Sequence, residues 1–510
     1  MVDTKTSHSI KNASMAIIMS LVVMIMGFIT HRVFIHQLGV EYAGINGLFS
    51  NIVSMLNIAE LGLGTAMVYF LYQPMAKKQT KKISQMTAFY ARCYFLITVF
   101  ISAGAIVILP FLSAIIGETK IIENLYIIHF LFVIDTVASY LFAHRKIVLY
   151  ADQLERKAHL AHITATIFMN LFQIFVLKIF ASYYIFLVIK IISRLLENGL
   201  IYVYTNRRYS FLRQTQSDKV SISLKRQIIK KVKGLFYHKI SSFVIFSTDN
   251  IIISSILGVK IVGYYSNYYM LITALLSIIG KMFSALTASV GTMIATSSNV
   301  KKYKEVFYKI DLINLWFSLN AAIGFLFCAS PFVNIWLGKK FVLDQWVVLA
   351  LSFDLFLQLS RSSLASFKEG AGIFYEDRFV PVIESVTNIV LSIILAQQFG
   401  LLGVFLGTIG SKTILFLYSY PKFVYGEVLK LSSLVYLKDF SRRLLCYFIA
   451  AVAWLTIYIL KWRLGLFASF FASLFIANLV FIILFLNNTN LHWVINRLKY
   501  NLDKITQKER

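Results

Sequence analysis

Charge is what this 510-residue sequence lacks, and acidic charge most of all. Asp and Glu number 23, and all charged residues together make up 14% of the chain, against about 25% in an average soluble protein. That deficit excludes a soluble enzyme, a disordered scaffold and a nucleic-acid-binding body, since each needs a charged exterior. Cysteine is nearly missing as well. Cys93, Cys328 and Cys446 fall in apolar runs without paired spacing, which excludes a disulfide framework and a thiolate metal site. The five prolines (Pro74, Pro110, Pro331, Pro381 and Pro421) each fall at the edge of an apolar run, where a helix can stop. Nine histidines are scattered without ligand spacing and no Walker motif occurs. No metal, cofactor or resident ATPase is therefore expected.

What is present is hydrocarbon. Apolar residues make up 58% and the mean hydropathy is +0.73. At roughly 20 residues per span, the sequence predicts an all-α polytopic membrane protein of about fourteen helices. They are expected at 12–35, 45–72, 85–110, 121–143, 159–179, 183–204, 235–257, 264–296, 308–331, 345–366, 380–399, 402–421, 441–460 and 465–486. The first run has no small-residue cleavage site after it and is read as a retained span. The runs at 45–72, 85–110 and 264–296 exceed the bilayer thickness and must tilt, kink or project into water.

The net charge of +27 follows the connections. Charges within a turn or two of a span end are assigned to the neighbouring connection. On that count 36 Lys and Arg residues fall on the termini and the even-to-odd connections, 8 on the other connections and 6 within spans. The positive-inside rule then places both termini in the cytoplasm. Segment 205–234 carries Leu224, Ile228, Val232 and Leu235 at helical spacing among basic residues. The tail repeats this with Leu491, Ile495, Leu498 and Leu502. Both read as basic amphipathic helices on the inner leaflet, with anionic lipids as partners, or as solvated faces that only set topology.

An internal repeat runs through the chain. Leu38-Gly39-Val40-x3-Gly44 matches Leu257-Gly258-Val259-x3-Gly263 at an offset of 219. Asp135 falls on Asp354 at the same offset, and Asn170 on Asn388 and Ser193-Arg194 on Ser411-Lys412 at 218. The predicted organisation is a six-helix bundle at 1–204, a basic linker at 205–234, a homologous six-helix bundle at 235–425, and two further helices with a basic tail at 426–510. Equal, even helix numbers give both halves one orientation, as in transporters built from parallel repeats.

Six cations lie within spans: Arg92, Lys190, Arg194, Lys281, Arg361 and Lys412. Each costs about 2.5–3.5 kcal/mol at the bilayer centre. They are therefore expected to face the bundle interior or water rather than lipid. Arg194, Lys281 and Lys412 sit deepest, while Arg92 and Arg361 are near enough to span ends to snorkel. Two uses are open: a cationic cavity for an anionic substrate such as phosphate or pyrophosphate, or internal pairing with Glu197, Asp135, Asp354, Asp249 and Glu60. The last four acids could instead hold a coupling H⁺ or Na⁺. No outer loop carries the acidic pair that a membrane glycosyltransferase or polymerase needs, so catalysis is not expected.

The stretches LGVEYAGINGLFSNIVSMLNIAELGLGTAMVYFLYQPMA (38–76), STDNIIISSILGVKIVGYYSNY (247–268), ASVGTMIATSSN (288–299) and GIFYEDRFVPVIESVTNIVLSIILAQQFGLLGVFLGTIGSK (372–412) resemble Wzx-type repeat-unit flippases. These form part of the polysaccharide transporter branch of the multidrug/oligosaccharidyl-lipid/polysaccharide exporter superfamily. The resemblance implies a bacterial plasma-membrane protein that flips undecaprenyl-pyrophosphate-linked oligosaccharide outward by alternating access, for capsule or related polymer assembly. Glycosyltransferases and a polysaccharide polymerase would be its functional neighbours. A multidrug exporter or a lipid II flippase of the same superfamily is the alternative. Fourteen spans and six intramembrane cations favour the anionic lipid-linked substrate.

Overall fold

The computed structural model describes residues 21–60, 63–116, 124–152, 154–213, 220–296, 299–373, 376–460, 465–492 and 496. They are helical, with no strand among the described residues. The chain divides into two compact units, Met1–Ser266 and Asn267–Arg510. The first holds α1 (Leu21–Leu38), α2 (Val40–Leu56), α3 (Leu63–Ala76), α4 (Thr80–Ile108), α5 (Leu112–Ile116), α6 (Leu125–Tyr140), α7 (Ala143–Ala151), α8 (Glu155–Phe180), α9 (Tyr183–Arg208), α10 (Ile222–Leu257) and the first turns of α11 (Val259–Thr296). The second holds the rest of α11, then α12 (Val300–Trp336), α13 (Gln345–Ser360), α14 (Ser362–Gly370), α15 (Val380–Phe399), α16 (Leu401–Ile414) with a π-helical continuation at 415–428, α17 (Ser433–Ile459) and α18 (Leu466–Phe485).

The described residues of the fourteen expected segments are predominantly helical, and among the described residues ten helices are long and apolar enough to cross a membrane. The run at 45–72 breaks, as its length requires, into α2 and α3 around a 3₁₀ turn at Asn57–Glu60. The 38-residue α11 stays unbroken. At 1.5 Å per residue it outruns the roughly 30 Å hydrocarbon layer. Pro110 and Pro381 stand at helix boundaries, whereas Pro74, Pro331 and Pro421 lie inside helical stretches. Pro421 is accommodated within the π-helical segment, whose wider turns already depart from the i→i−4 ladder.

Segment 205–234 differs from its expected form. Residues from Ile222 onward are the start of α10, one helix of 36 residues. The apolar face does not lie on lipid. Ile228 is buried with Met86, Tyr90 and Ile83 of α4, and Leu224 and Val232 pack against the same cluster. Nothing between Ser221 and Gly258 interrupts the helix, because the single Gly234 costs only about 1 kcal/mol there. The side chain of Leu235 and the tail residues Ile495, Leu498 and Leu502 lie outside the described residues.

The repeat is written into backbone geometry. α1 ends at Gly39 (φ 97°, ψ 173°) and α10 at Gly258 (φ 89°, ψ 154°), a region open almost only to glycine. Each glycine N–H closes the helix before it, Gly39 on the Ile35 carbonyl and Gly258 on the Ser254 carbonyl, both at 3.0 Å. The helix starts of α6 and α13 also match. Asn124 caps the first through the Tyr126 N–H at 2.9 Å, and Asp344 caps the second through the Trp346 N–H at 2.8 Å.

The second glycine of each motif has a different task. A Cβ on Gly44 would stand 2.0 Å from the Val259 carbonyl oxygen, and one on Gly263 would stand 2.1 Å from the Val40 carbonyl oxygen. The two copies of the motif therefore cross backbone on backbone, each glycine against the valine of the other copy. One helical turn on, a Cβ at Gly47 would lie 2.9 Å from Ser266 Oγ. These two positions are also 219 residues apart. That separation is close to the roughly 3 Å that a disulfide places between one Cβ and the partner sulfur. A G47C/S266C pair, in a background lacking Cys93, Cys328 and Cys446, is expected to oxidise readily, as read by a mobility shift that thiol reduction reverses. G44A should lower the unfolding midpoint by the equivalent of about 1–3 kcal/mol. Failure of the pair to oxidise would refute this crossing.

Candidate functional site

The first unit gathers charge around two buried carboxylates. α6 carries Asp135, 7% exposed, and α9 carries Glu197, 4% exposed. Lys190 and Arg194 share a face of α9 at i, i+4 spacing and converge on Asp135. Lys190 Nζ is 3.1 Å from Oδ2 and Arg194 Nε is 3.5 Å from Oδ1. Arg194 also reaches Glu197 at 3.6 Å. Glu197 is held further by Lys146 of α7 at 3.2 Å and by His162 Nδ1 of α8 at 3.0 Å. Four helices are thereby tied through one network. Lys190 also lies over the Phe132 ring, 4.7 Å from its centroid.

The stoichiometry of this network is uneven. Three permanent cations, Lys146, Lys190 and Arg194, face two carboxylates, so one positive charge is in excess with His162 neutral. The Lys190 and Arg194 side chains remain 27% and 33% exposed. They can receive an anion without first leaving Asp135.

The second unit answers at the repeat positions with a closed pair. Lys412 of α16 is joined to Asp354 of α13, and its side chain is only 3% exposed. Asn388, the counterpart of Asn170, donates to Thr408 Oγ1 at 3.0 Å, while Asn170 accepts from Thr30 Oγ1 at 2.6 Å. α16 approaches α15 through a small-residue stripe. A Cβ on Gly403 would meet the Leu395 carbonyl oxygen at 1.9 Å, and one on Gly407 would meet the Ser392 nitrogen at 2.5 Å. Ser411 turns its hydroxyl back to the Thr408 carbonyl at 2.9 Å.

Other sequence-predicted positions stand elsewhere. Arg361 is half-buried at the junction of α13 and α14. Arg92 on α4 and Lys281 on α11 are exposed. Glu60 accepts a long hydrogen bond from Tyr94 OH, 3.5 Å away, and Asp249 is half-buried on α10.

Sequence reasoning passed over several charged groups that the fold buries. Lys368 is paired with Asp377, which also accepts from Ser419 Oγ at 2.9 Å. Arg443 of α17 binds Asp311 of α12 at 2.5 Å and the Ser360 carbonyl at 3.0 Å, with Ser363 Oγ donating to Asp311 at 2.6 Å. Glu384 is 2% exposed, and its Oε1 has no hydrogen-bond partner. It lies in the field of Arg361, Lys412 and Lys368. The available signal for Glu384 was an acid within an apolar run. It has no counterpart in the repeat, since the first half carries no acid at the matching place.

The two repeat cations should respond differently to truncation. Lys412→Ala leaves Asp354 uncompensated and should cost about 3–5 kcal/mol of stability, with D354N in the same chain restoring most of it. Arg194→Ala leaves Lys190 on Asp135 and should cost about 1 kcal/mol or less. Thermal unfolding of the detergent-solubilised protein, followed by size exclusion, separates the two. Equal losses would refute the division between a closed pair and an open cluster.

Comparison with known proteins follows from this geometry. Among solved structures, the chain is similar to the lipid II flippase MurJ in an inward closed conformation, with TM-score 0.65 and 14% identity, covering 92% of this chain and 97% of that one. It is equally similar, at TM-score 0.65 and 14% identity, to an inward-facing multidrug resistance MATE family transporter of the MOP superfamily, over 78% of this chain and 95% of that one. A Vibrio cholerae MATE transporter variant follows, with TM-score 0.56 and 16% identity over 83% and 98%. No curated protein sequence gives a significant match. The sequence profile of the polysaccharide biosynthesis protein family matches residues 38–344. The chain is thus a multi-pass membrane protein with the fold of these exporters, and it belongs to the polysaccharide biosynthesis protein family.

Proposed function

We propose that the protein is a flippase that moves undecaprenyl-pyrophosphate-linked oligosaccharide from the inner to the outer leaflet of a bacterial plasma membrane, for assembly of capsule or a related polymer. The observation that carries this reading is the unbalanced cation cluster on α9. Lys190 and Arg194 are held in register by Asp135, partly open, and in excess over their carboxylates. A pyrophosphate brings two linked phosphate groups, and a guanidinium and an ammonium one helical turn apart match them as a fork and a point charge. Family membership in polysaccharide biosynthesis supports a saccharide-bearing cargo.

In this reading the pyrophosphate meets the open faces of Lys190 and Arg194 while Asp135 keeps them in register, and the sugar head follows it into the polar interior. An H⁺ or Na⁺ gradient is the proposed energy source, and a polymerase and glycosyltransferases the proposed functional neighbours. Both termini are placed in the cytoplasm by the charge asymmetry. The motif crossing at Gly44 and Gly263 is the proposed moving contact of alternating access.

Proteoliposomes loaded with a fluorescent undecaprenyl-pyrophosphate oligosaccharide test the reading. Arg194→Ala should slow flipping by about ten- to a hundred-fold, the equivalent of one charge-assisted contact of about 1.5–3 kcal/mol. Arg194→Lys should retain part of the rate. Oxidised G47C/S266C should be inactive until reduced. Transport of cationic dyes with no transport of the lipid-linked sugar would overturn the reading in favour of a multidrug exporter.

A further inference from the structure

The first unit carries a second concentration of positive charge that the flipping reaction does not use. Four lysines, Lys77, Lys78, Lys81 and Lys82, occupy six residues at the α3–α4 turn and the first turn of α4. No acidic residue occurs between Glu60 and Glu118, nor between Asp218 and Asp249. The fold brings these two acid-free stretches together. A concavity of about 600 Å³ is walled by Lys78, Lys81, Lys82 and Gln85 on one side, and by Ser221 and Leu224 on the other. Its volume is that of a small-molecule site.

The described charges of the concavity's wall have one sign. Lys81 and Lys82 sit in the first turn of a 29-residue helix, where the partial positive charge of the helix end disfavours cations. Lys78 holds φ at +51°, a conformation uncommon for a residue with a side chain. The start of α10, capped by Ser221 Oγ on the Leu224 N–H at 3.3 Å, opens on the same space, and Thr80 adds a hydroxyl to the wall. The floor is firm, since Met86 is fully buried in the core beneath. Cations crowded against a helix start, in a concavity without a carboxylate among the described residues of its wall, match a compact multivalent oxyanion. Hydroxyl donors in the same wall suit its ester oxygens.

We propose that this concavity binds a phosphate ester, held by Lys78, Lys81 and Lys82. α4 runs from this turn directly into its apolar span, so the site lies at the membrane boundary. The same chemistry could reach it as an anionic lipid headgroup or as a free phosphate compound. The proposal does not depend on the flipped substrate.

The full-length protein, solubilised and examined by native mass spectrometry, provides the test. The probes are phosphatidylglycerol, phosphatidylcholine and soluble glycerol phosphate. The wild type should retain phosphatidylglycerol over phosphatidylcholine, and K78Q/K81Q/K82Q should lose about ten-fold or more of that preference. A matched variant, K301Q/K302Q/K304Q, removes three lysines from the start of α12, where Asn299 caps the helix. It should stay within about two-fold of wild type. K81R/K82R should retain binding, and all variants are first checked for a monodisperse elution profile. Retention of phosphatidylglycerol that soluble glycerol phosphate does not displace assigns a lipid headgroup. Binding of glycerol phosphate that the triple variant abolishes assigns a free phosphate ester. Unchanged binding of both probes by K78Q/K81Q/K82Q, or equal loss in the matched variant, would overturn the proposal.

Discussion

A charge inside hydrocarbon must be answered by another charge, and the arrangement of this protein follows from where those answers lie. Asp135 and Asp354 occupy matching places on α6 and α13. Each is met by a cation from the matching helix, α9 or α16. Breaking the closed Lys412–Asp354 pair strands a buried ion, at about 3–5 kcal/mol, whereas Asp135 keeps a second cation when one is lost; both contacts fix the rotation of one helix against another. Within the second unit the principle recurs with Lys368 and Asp377, and with Arg443 and Asp311. The last of these ties α17 to α12, α13 and α14 through Ser360 and Ser363.

The two repeat sites have diverged in how completely they are closed. Lys412 has one carboxylate and almost no exposure, so its charge is spent on architecture. Arg194 and Lys190 share Asp135 with room to spare, and Lys146 and His162 help to hold Glu197. Positions 218 to 219 residues apart thus hold a fixed strut in one unit and an open cation cluster in the other. The difference lies in stoichiometry rather than residue type, since a lysine can do either job.

Glycine supplies the complementary constraint. Gly44 and Gly263 let two helix starts approach closely enough that a Cβ on either would meet the other's valine carbonyl oxygen. Gly403 and Gly407 use the same absence of a Cβ to bind α16 firmly against α15. There Ser392 and Asn388 add hydrogen bonds that a parting surface would lose.

The sequence by itself determined what depends on neighbours in the chain. Hydropathy over about 20 residues set the helical class and the position of each segment. The 219-residue offset located Gly39 and Gly258 at matching helix ends and Asp135 and Asp354 on matching helices, because backbone breaks and intramembrane charges are local features of the chain. Tertiary structure alone decided the rest. It determined that Lys190 and Arg194 both turn to Asp135, that Lys412 is sealed by Asp354, and that Glu384 is buried without a partner for Oε1. It also laid the apolar face of the start of α10 on α4 instead of on lipid. An amphipathic stripe states that a face must be covered, while what covers it depends on residues more than a hundred positions away. Charge pairing has the same character, because it acts over a few ångströms in space, and only the packed chain determines which residues come that close.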